Sequence, residues 1–346
     1  MFECFKNKKI LITGDTGFKG SWLATWLSKI GANVVGISLK PDENNMHWLK
    51  LSNNYETYHI DIRDKLKIRN ALNNIQPEFV FHLAAQSLVK ESYYSPVETW
   101  ETNVIGTANL MYELSQIYTL KGLLVVTSDK CYENRESYHP YKETDKLGGF
   151  DPYSSSKAAT EIVTQSFTKC FFSDKVPIAT ARAGNVIGGG DWSENRLMPD
   201  IFKSLKFKTN LAIRNINAIR PWQHVLDCLY GYLLLAEKLF NGEKSFASQW
   251  NFGPNQNIFL KVKDILDLVN NKIDNNIKIE LEESPQHEAQ LLMLNSEKSN
   301  TKLNWYPLLS TEESINLTVD WYLEYLKFDK ISTHIQIDEY VKRLNR

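Results

Sequence analysis

The run KILITGDTGFKGSWLATWL, residues 9–27, decides the fold. Its apolar opening reads as a buried strand, and from residue 20 the apolar positions recur with helical spacing. Between the two, Gly14, Gly17 and Gly20 stand in a G-x-x-G-x-x-G spacing. Glycines at a strand-to-helix turn let the backbone bend tightly and approach a pyrophosphate. The pyrophosphate then sits at a helix N-terminus, where free N–H groups and the helix dipole favour negative charge. Glycines also serve plain turns, so the surroundings must carry the assignment to a dinucleotide.

The surroundings supply it. Runs rich in strand formers at 33–39, 55–62, 77–85, 122–128 and 176–186 alternate with helical stretches at 64–74, 97–117 and 153–172. Alternation of this kind implies parallel strands joined by right-handed crossovers: an α/β, Rossmann-type doubly wound parallel sheet covered on both faces. After Val186 the pattern gives way to the loop IGGGDWSEN (187–195) and to shorter elements. The expected organisation is a dinucleotide-binding domain over 1–186, rejoined by about 224–252, with a smaller, mostly substrate-binding region over 187–346. HVLDCLYGYLLLAEKLF (224–240) reads as a helix returning to the sheet, and QWNFGP (249–254) as a further strand. Ser310 and Glu313 form a capping-box pattern, and the residues from about 328 read as a loosely attached tail.

Composition narrows the partners. A chain of 346 residues with a formal charge of −1 has no electrostatic reason to bind nucleic acid or an anionic membrane, which leaves a small molecule as the expected ligand. The cysteines Cys4, Cys131, Cys170 and Cys228 are scattered without metal-ligand spacing, so they read as reduced thiols of a cytoplasmic protein, and no metal is expected. No segment approaches the roughly 18 apolar residues of a membrane span, and the N-terminus lacks a signal-peptide run.

Two clusters carry chemistry. In DPYSSSKAATE, Tyr153 and Lys157 lie four apart and share one helix face. Beside a glycine loop, a lysine ammonium and a cationic nicotinamide are both expected to depress the tyrosine pKa, giving a base for a substrate alcohol during hydride transfer. The plain alternative is a surface tyrosine and a solvated lysine. The second cluster ends the strand LLVVTSDKCYEN (123–134), where Ser128, Asp129 and Lys130 follow Thr127. Asp129 and Lys130 could also form an inert strand-end salt bridge. The second strand ends ISLKPDE (37–43), with Ser38 and Lys40 where an acid would favour NAD over NADP, so this position does not separate the two, and Lys40 reads as a loop residue. Asp61 and Ile62 suit the adenine edge and its apolar face.

These motifs, with HLAAQSLVKESY (82–93), NVIGTANL (103–110), ARAGNVIGGGDW (181–192) and IRPWQHVLD (219–227), resemble the extended short-chain dehydrogenase/reductase family over nearly the whole chain. Within that family, nucleotide-sugar 4,6-dehydratases carry Thr-Asp-Glu where this chain has Ser128, Asp129 and Lys130. Together with TGFKGSWL, DKCYENRE, KLGGFDPYSSSK and GGGDW, the substitution is similar to the group acting on CDP-glucose.

The resemblance implies NAD as cofactor, contacted by Gly14, Thr16, Gly17, Phe18 and Gly20, by Ala84, Ala85 and Thr127, and by Tyr153 and Lys157. It also implies a nucleotide-sugar substrate and a role in deoxysugar biosynthesis. The sugar would be oxidised at carbon 4, lose water across carbons 5 and 6, and regain the hydride at carbon 6. Tyr153 would take the 4-hydroxyl proton, Lys157 hold the ribose, Ser128 bond the same sugar oxygen, and a protonated Asp129 release the 6-hydroxyl. Lys130 is then either a neutral elimination base, acting directly or through a water, or a charged group polarising the 4-keto oxygen. An epimerase would share Tyr153 and Lys157 but has no use for Asp129 and Lys130; a non-catalytic nucleotide sensor would need none of the four.

On the substrate side, Arg196 and Arg220 suit a diphosphate, because a guanidinium offers paired donors. The resemblance adds Asn185 at the diphosphate, Ser87 at the sugar and His287 near the nucleotide. His82 lies inside an apolar strand and reads as a core residue, while Trp222 and His224 could line the pocket or pack the returning helix. Family likeness implies a homodimer or homotetramer built on the helices at 97–117 and 153–172.

Overall fold

The computed structural model describes residues 1–41, 46–51, 55–172, 176–254, 260–273, 277–282 and 289–345. Seven strands form one parallel sheet: β1 (Lys9–Thr13), β2 (Asn33–Ser38), β3 (Glu56–His59), β4 (Phe79–His82), β5 (Gly122–Val126), β6 (Ile178–Ala183) and β7 (Gln249–Phe252). Their spatial order is β7-β6-β5-β4-β1-β2-β3, so the winding reverses between β1 and β4. That reversal opens a crevice at the carboxyl ends of the strands, where doubly wound sheets bind ligands. The expected strand 249–254 is the seventh, while the expected strand at 176–186 stops at Ala183 and a separate pair, Val186–Ile187, bonds Gln223–His224 instead.

Helices cover both faces. Helices α1 (Phe18–Ile30) and, later in the chain, α6 (Val225–Phe240) bury Trp22, Leu23, Leu229 and Leu233 in the larger core, together with Trp250 of β7. On the other face α2 (Lys65–Ile75) and α3 (Gly106–Leu114) bury Leu72, Leu110 and Leu114 against Val80 and Val125. The helix expected over 97–117 runs without interruption from Pro96 to Leu114, as Pro96–Trp100, a wider π turn at Glu101–Ile105, and α3. Helix α4 (Pro152–Phe171) begins where its sequence tells it to: Asp151 accepts Ser154 N at 2.9 Å, and Pro152 fills the first position, where a missing N–H costs nothing.

The C-terminal region adds α5 (Leu197–Phe207), α7 (Val262–Ile273), α8 (Thr311–Phe328) and α9 (Thr333–Leu344). Ser310 and Glu313 form the expected capping box on α8. The residues beyond 328 are not a loose tail. Helix α9 buries Ile337 and Tyr340, and the Tyr340 hydroxyl donates to Asp227 Oδ1 at 2.7 Å in α6. Polar-looking sequence hid that anchor, because the buried residues of α9 are four and three of them, Thr333, Gln336 and Tyr340, carry polar groups. Among the described residues, no helix is long and apolar enough to cross a membrane.

Candidate active site

A cavity of about 670 Å³ runs along the carboxyl ends of the strands, from the glycine loop past β4 and β5 to α5. At its upper end, Gly14 adopts φ +77° and lies so close to β4 that a Cβ would meet Ala84 N at 2.8 Å. A Cβ on Gly20 would meet Gly14 O at 2.0 Å. Helix α1 has no side-chain cap at Gly17, so its first N–H groups are left for something at the mouth of the cavity that Thr16, Gly17, Phe18 and Gly20 line. A dinucleotide pyrophosphate fits that cradle.

Asp61, Ile62, Ala84, Ala85 and Thr127 line the same stretch of wall. The Asp61 carboxylate is already engaged by Arg63, at 2.6 Å from Nη2 to Oδ2, and that hydrogen bond holds its pKa below the usual range. Ser38 and Leu39 are the cavity residues at the end of β2, and Lys40 is exposed outside it.

The chemistry gathers where β5 ends. Its buried apolar run GLLVV delivers Thr127 and Ser128 to the crevice, and a short helical turn at Asp129–Cys131 follows at once. Ser128 accepts Lys130 N at 3.2 Å, which caps the turn, and donates to Asp129 Oδ1 at 2.9 Å. Burial raises the Asp129 pKa, against the pull of nearby Lys130. Asp129 Oδ2 is buried without a partner among the described residues. The two residues form no ion pair, so the inert salt bridge is not what the geometry shows. Asp129 is therefore disposed to hold a proton, and Lys130 lines the cavity beside it.

Tyr153 and Lys157 enter from the first turns of α4, both buried and both on the cavity wall. Burial pushes the tyrosine up to about 12, with the nearby Ser128 hydroxyl pulling it down. The expected depression by Lys157 is thus not present in the protein alone, where desolvation outweighs the neighbouring charges. Lys157 Nζ reaches Val126 O at 3.4 Å, and burial followed by the charge of Lys19 lowers it to about 8.

Farther along, Arg196 donates to Asp191 Oδ2 at 2.9 Å and to Ser87 Oγ at 3.0 Å. Arg220 and Asn185 line the cavity too; Arg220 also binds the carbonyls of Ile219 and Ala289. His287 lies outside the described residues. Trp222 lines the cavity. His224 does not: it is fully buried and caps α6 by accepting Leu226 N at 3.3 Å. His82 is a core residue, bonded to Thr13 Oγ1 at 2.6 Å and Thr107 Oγ1 at 2.9 Å, with burial driving it down to about 3.

The family described as GDP-mannose 4,6 dehydratase matches residues 11–318. The chain belongs to that family. It is 39% identical to the CDP-glucose 4,6-dehydratase of Salmonella typhimurium, with 99% of this chain and 98% of that protein covered. It is 25% identical to the dTDP-glucose 4,6-dehydratase of the same organism, over 91% of this chain and 92% of that one. Among solved structures, the dTDP-glucose 4,6-dehydratase of Bacillus anthracis in complex with NAD superimposes with a TM-score of 0.77 at 21% identity, covering 91% of this chain and 96% of that one.

In this member of the 4,6-dehydratase family, sequence reasoning missed two residues. Lys19 sits inside the glycine loop, lines the cavity, and acts electrostatically on Lys157, Asp129 and Asp191. Its signal was readable, because a lysine in the first turn of a helix opposes the dipole. Asp191, from GGGDW, holds Arg196, and its carbonyl accepts the Tyr322 hydroxyl. The glycines before it serve backbone closeness: a Cβ on Gly189 would meet Trp321 Cγ at 1.9 Å.

Proposed function

We propose that this protein catalyses the NAD-dependent 4,6-dehydration of CDP-D-glucose to CDP-4-dehydro-6-deoxy-D-glucose. The observation that carries the reading is Asp129, a buried carboxyl disposed to keep its proton, standing with Lys130 beside Tyr153 on the wall of a dinucleotide-shaped crevice. The 39% identity to a CDP-glucose 4,6-dehydratase supports the same reading.

NAD held on the glycine loop would supply reversible hydride chemistry. Tyr153 would take the proton of the 4-hydroxyl, with Ser128 bonding the same oxygen. Once carbon 4 is a ketone, the carbon 5 proton is acidic; Lys130 would remove it while Asp129 gives its proton to the departing 6-hydroxyl, and the hydride taken from carbon 4 would return to carbon 6 as carbon 5 regains a proton. Arg196, Arg220 and Asn185 would hold the diphosphate, and Ser87 the sugar.

The division of labour follows the chain: 1–186 with 224–252 for the cofactor, the remainder of 187–346 for the nucleotide sugar. Exposed Val97, Trp100, Ile105, Tyr112, Ile162 and Phe171, on the 96–114 segment and α4, form the face through which we propose a homodimer. The free thiols suit the cytoplasm, and the product suits deoxysugar supply for surface polysaccharide such as lipopolysaccharide.

Mass spectrometry of the protein incubated with NAD and, separately, CDP-, dTDP-, UDP- and GDP-glucose tests the function. Loss of one water from the CDP sugar alone, without accumulating NADH, is the expected result. An epimerised sugar of unchanged mass would replace the reading with a nucleotide-sugar 4-epimerase.

A further inference from the structure

The cavity continues past the arginines. Beyond Arg196 it runs between the first turn of α5 and the short strand Leu211–Ile213, where Pro199, Asp200, Leu211, Ile213 and Arg214 form its wall. Asp200 N donates to Arg196 O at 3.0 Å, one helical turn on, so Asp200 stands about 6 Å farther along the helix axis than Arg196. With the sugar ring of a nucleotide sugar at Tyr153 and its diphosphate at Arg196, this stretch is the cavity wall left for the base. Leu211 and Ile213 are buried and offer apolar surface to a flat ring.

Asp200 is the unusual member of that wall. Its carboxyl is half-buried, accepts a backbone hydrogen bond from Asn195 and makes no ion pair among the described residues; Lys203 and Arg214 act on it through their charges. A helix start explains an acid in general, since carboxylates suit the positive end of the dipole. It does not explain one that shares the cavity wall with the guanidinium of Arg214, the residue after the strand Leu211–Ile213.

We infer that Asp200 and Arg214 read the base, with the exocyclic N4 amine of cytosine donating to the Asp200 carboxylate and Arg214 donating to the cytosine O2. Carboxylates are the natural acceptors for that amine. Uracil and thymine present O4 at the same place, an acceptor facing an acceptor, and are rejected because both groups would be desolvated without a proton between them. Arg214 serves any pyrimidine, since all carry O2, so selectivity resides in Asp200. Burial lifts the Asp200 carboxyl to about 6, so near pH 8 it is ionised and purely an acceptor.

The inference rests on the CDP-glucose reading and names the residue behind its nucleotide choice. Its test is kcat/KM for CDP-glucose and UDP-glucose at about pH 8 in the wild type, Asp200→Asn and Arg214→Gln. Asparagine keeps the shape but can donate to O4. The expected result is a fall of about 10- to 100-fold in the CDP/UDP ratio for Asp200→Asn, matching the usual worth of one base contact, with the loss for CDP-glucose mainly in KM. Arg214→Gln should weaken both substrates by similar factors and keep the ratio. A wild type that prefers CDP-glucose together with an Asp200→Asn variant of unchanged ratio would overturn this inference and leave the proposed function standing. A wild type with no cytidine preference would overturn both.

Discussion

Ser128 Oγ donates a 2.9 Å hydrogen bond to one carboxyl oxygen of Asp129, while the other, Oδ2, is buried with nothing to accept from or donate to among the described residues. A carboxyl so placed is more useful protonated. Asp129→Asn keeps the shape and removes the transferable proton. Water loss should fall by about 10²–10⁴-fold, the range for removing a general acid, while oxidation at carbon 4 still proceeds. Reduced-nicotinamide absorbance should therefore build up in the variant during incubation with CDP-glucose. Undiminished water loss would remove Asp129 from the mechanism.

Lys130 lies next in the chain and lines the same cavity. If it takes the carbon 5 proton, Lys130→Met should abolish deuterium exchange at carbon 5 when the enzyme is incubated with substrate in heavy water. Exchange at the wild-type rate would leave Lys130 only an electrostatic role.

Lys157 makes a prediction about pH. Its folded pKa, about 8, lies below its ordinary 10.5, chiefly through burial and then through Lys19. Between those values the folded state holds fewer protons than the unfolded one, so stability rises with pH through that window, and below about 8 the buried ammonium costs its full amount. Lys157→Met should therefore unfold at higher denaturant concentration at pH 7, by on the order of 2–3 kcal/mol, while losing activity. The gain should shrink as pH rises from 8 toward 10.5. A variant no more stable at pH 7 would refute the assignment.

How much of this was readable in advance depends on the range over which each signal acts. The glycine loop and the Tyr153/Lys157 pair are local, and so are the apolar strands around them; each was legible because a few consecutive residues determine it. Lys19 is local too, yet its meaning depends on Lys157 and Asp129, which only the sheet brings beside it. Asp200 and Arg214 are 14 residues apart, and only the fold brings them onto one cavity wall. The wider turn at Glu101–Ile105 and the anchoring of α9 depend on tertiary packing, which periodicity does not register.

The last case is a network that sequence alone could not assemble. Arg182 of β6 donates from Nε and Nη2 to the two carboxyl oxygens of Glu161 on α4, each at 2.9 Å, with both side chains buried. Glu161 also accepts Thr127 Oγ1 at 2.5 Å and Thr180 Oγ1 at 2.7 Å. Arg182 Nη1 donates to the Tyr132 hydroxyl at 2.8 Å, two residues beyond Lys130. One ion pair therefore ties the helix carrying Tyr153 and Lys157 to the turn carrying Asp129 and Lys130. Arg182→Met leaves a buried carboxylate unpaired and should cost about 3–5 kcal/mol in urea unfolding. Removing both charges, with Arg182→Met and Glu161→Met together, should recover much of that stability, because the penalty comes from the orphaned charge. Activity should stay low in the double variant, since the bond that aligns helix and turn is gone. A double variant as active as the wild type would show that packing alone aligns them, and one no more stable than Arg182→Met would refute the orphaned-charge account.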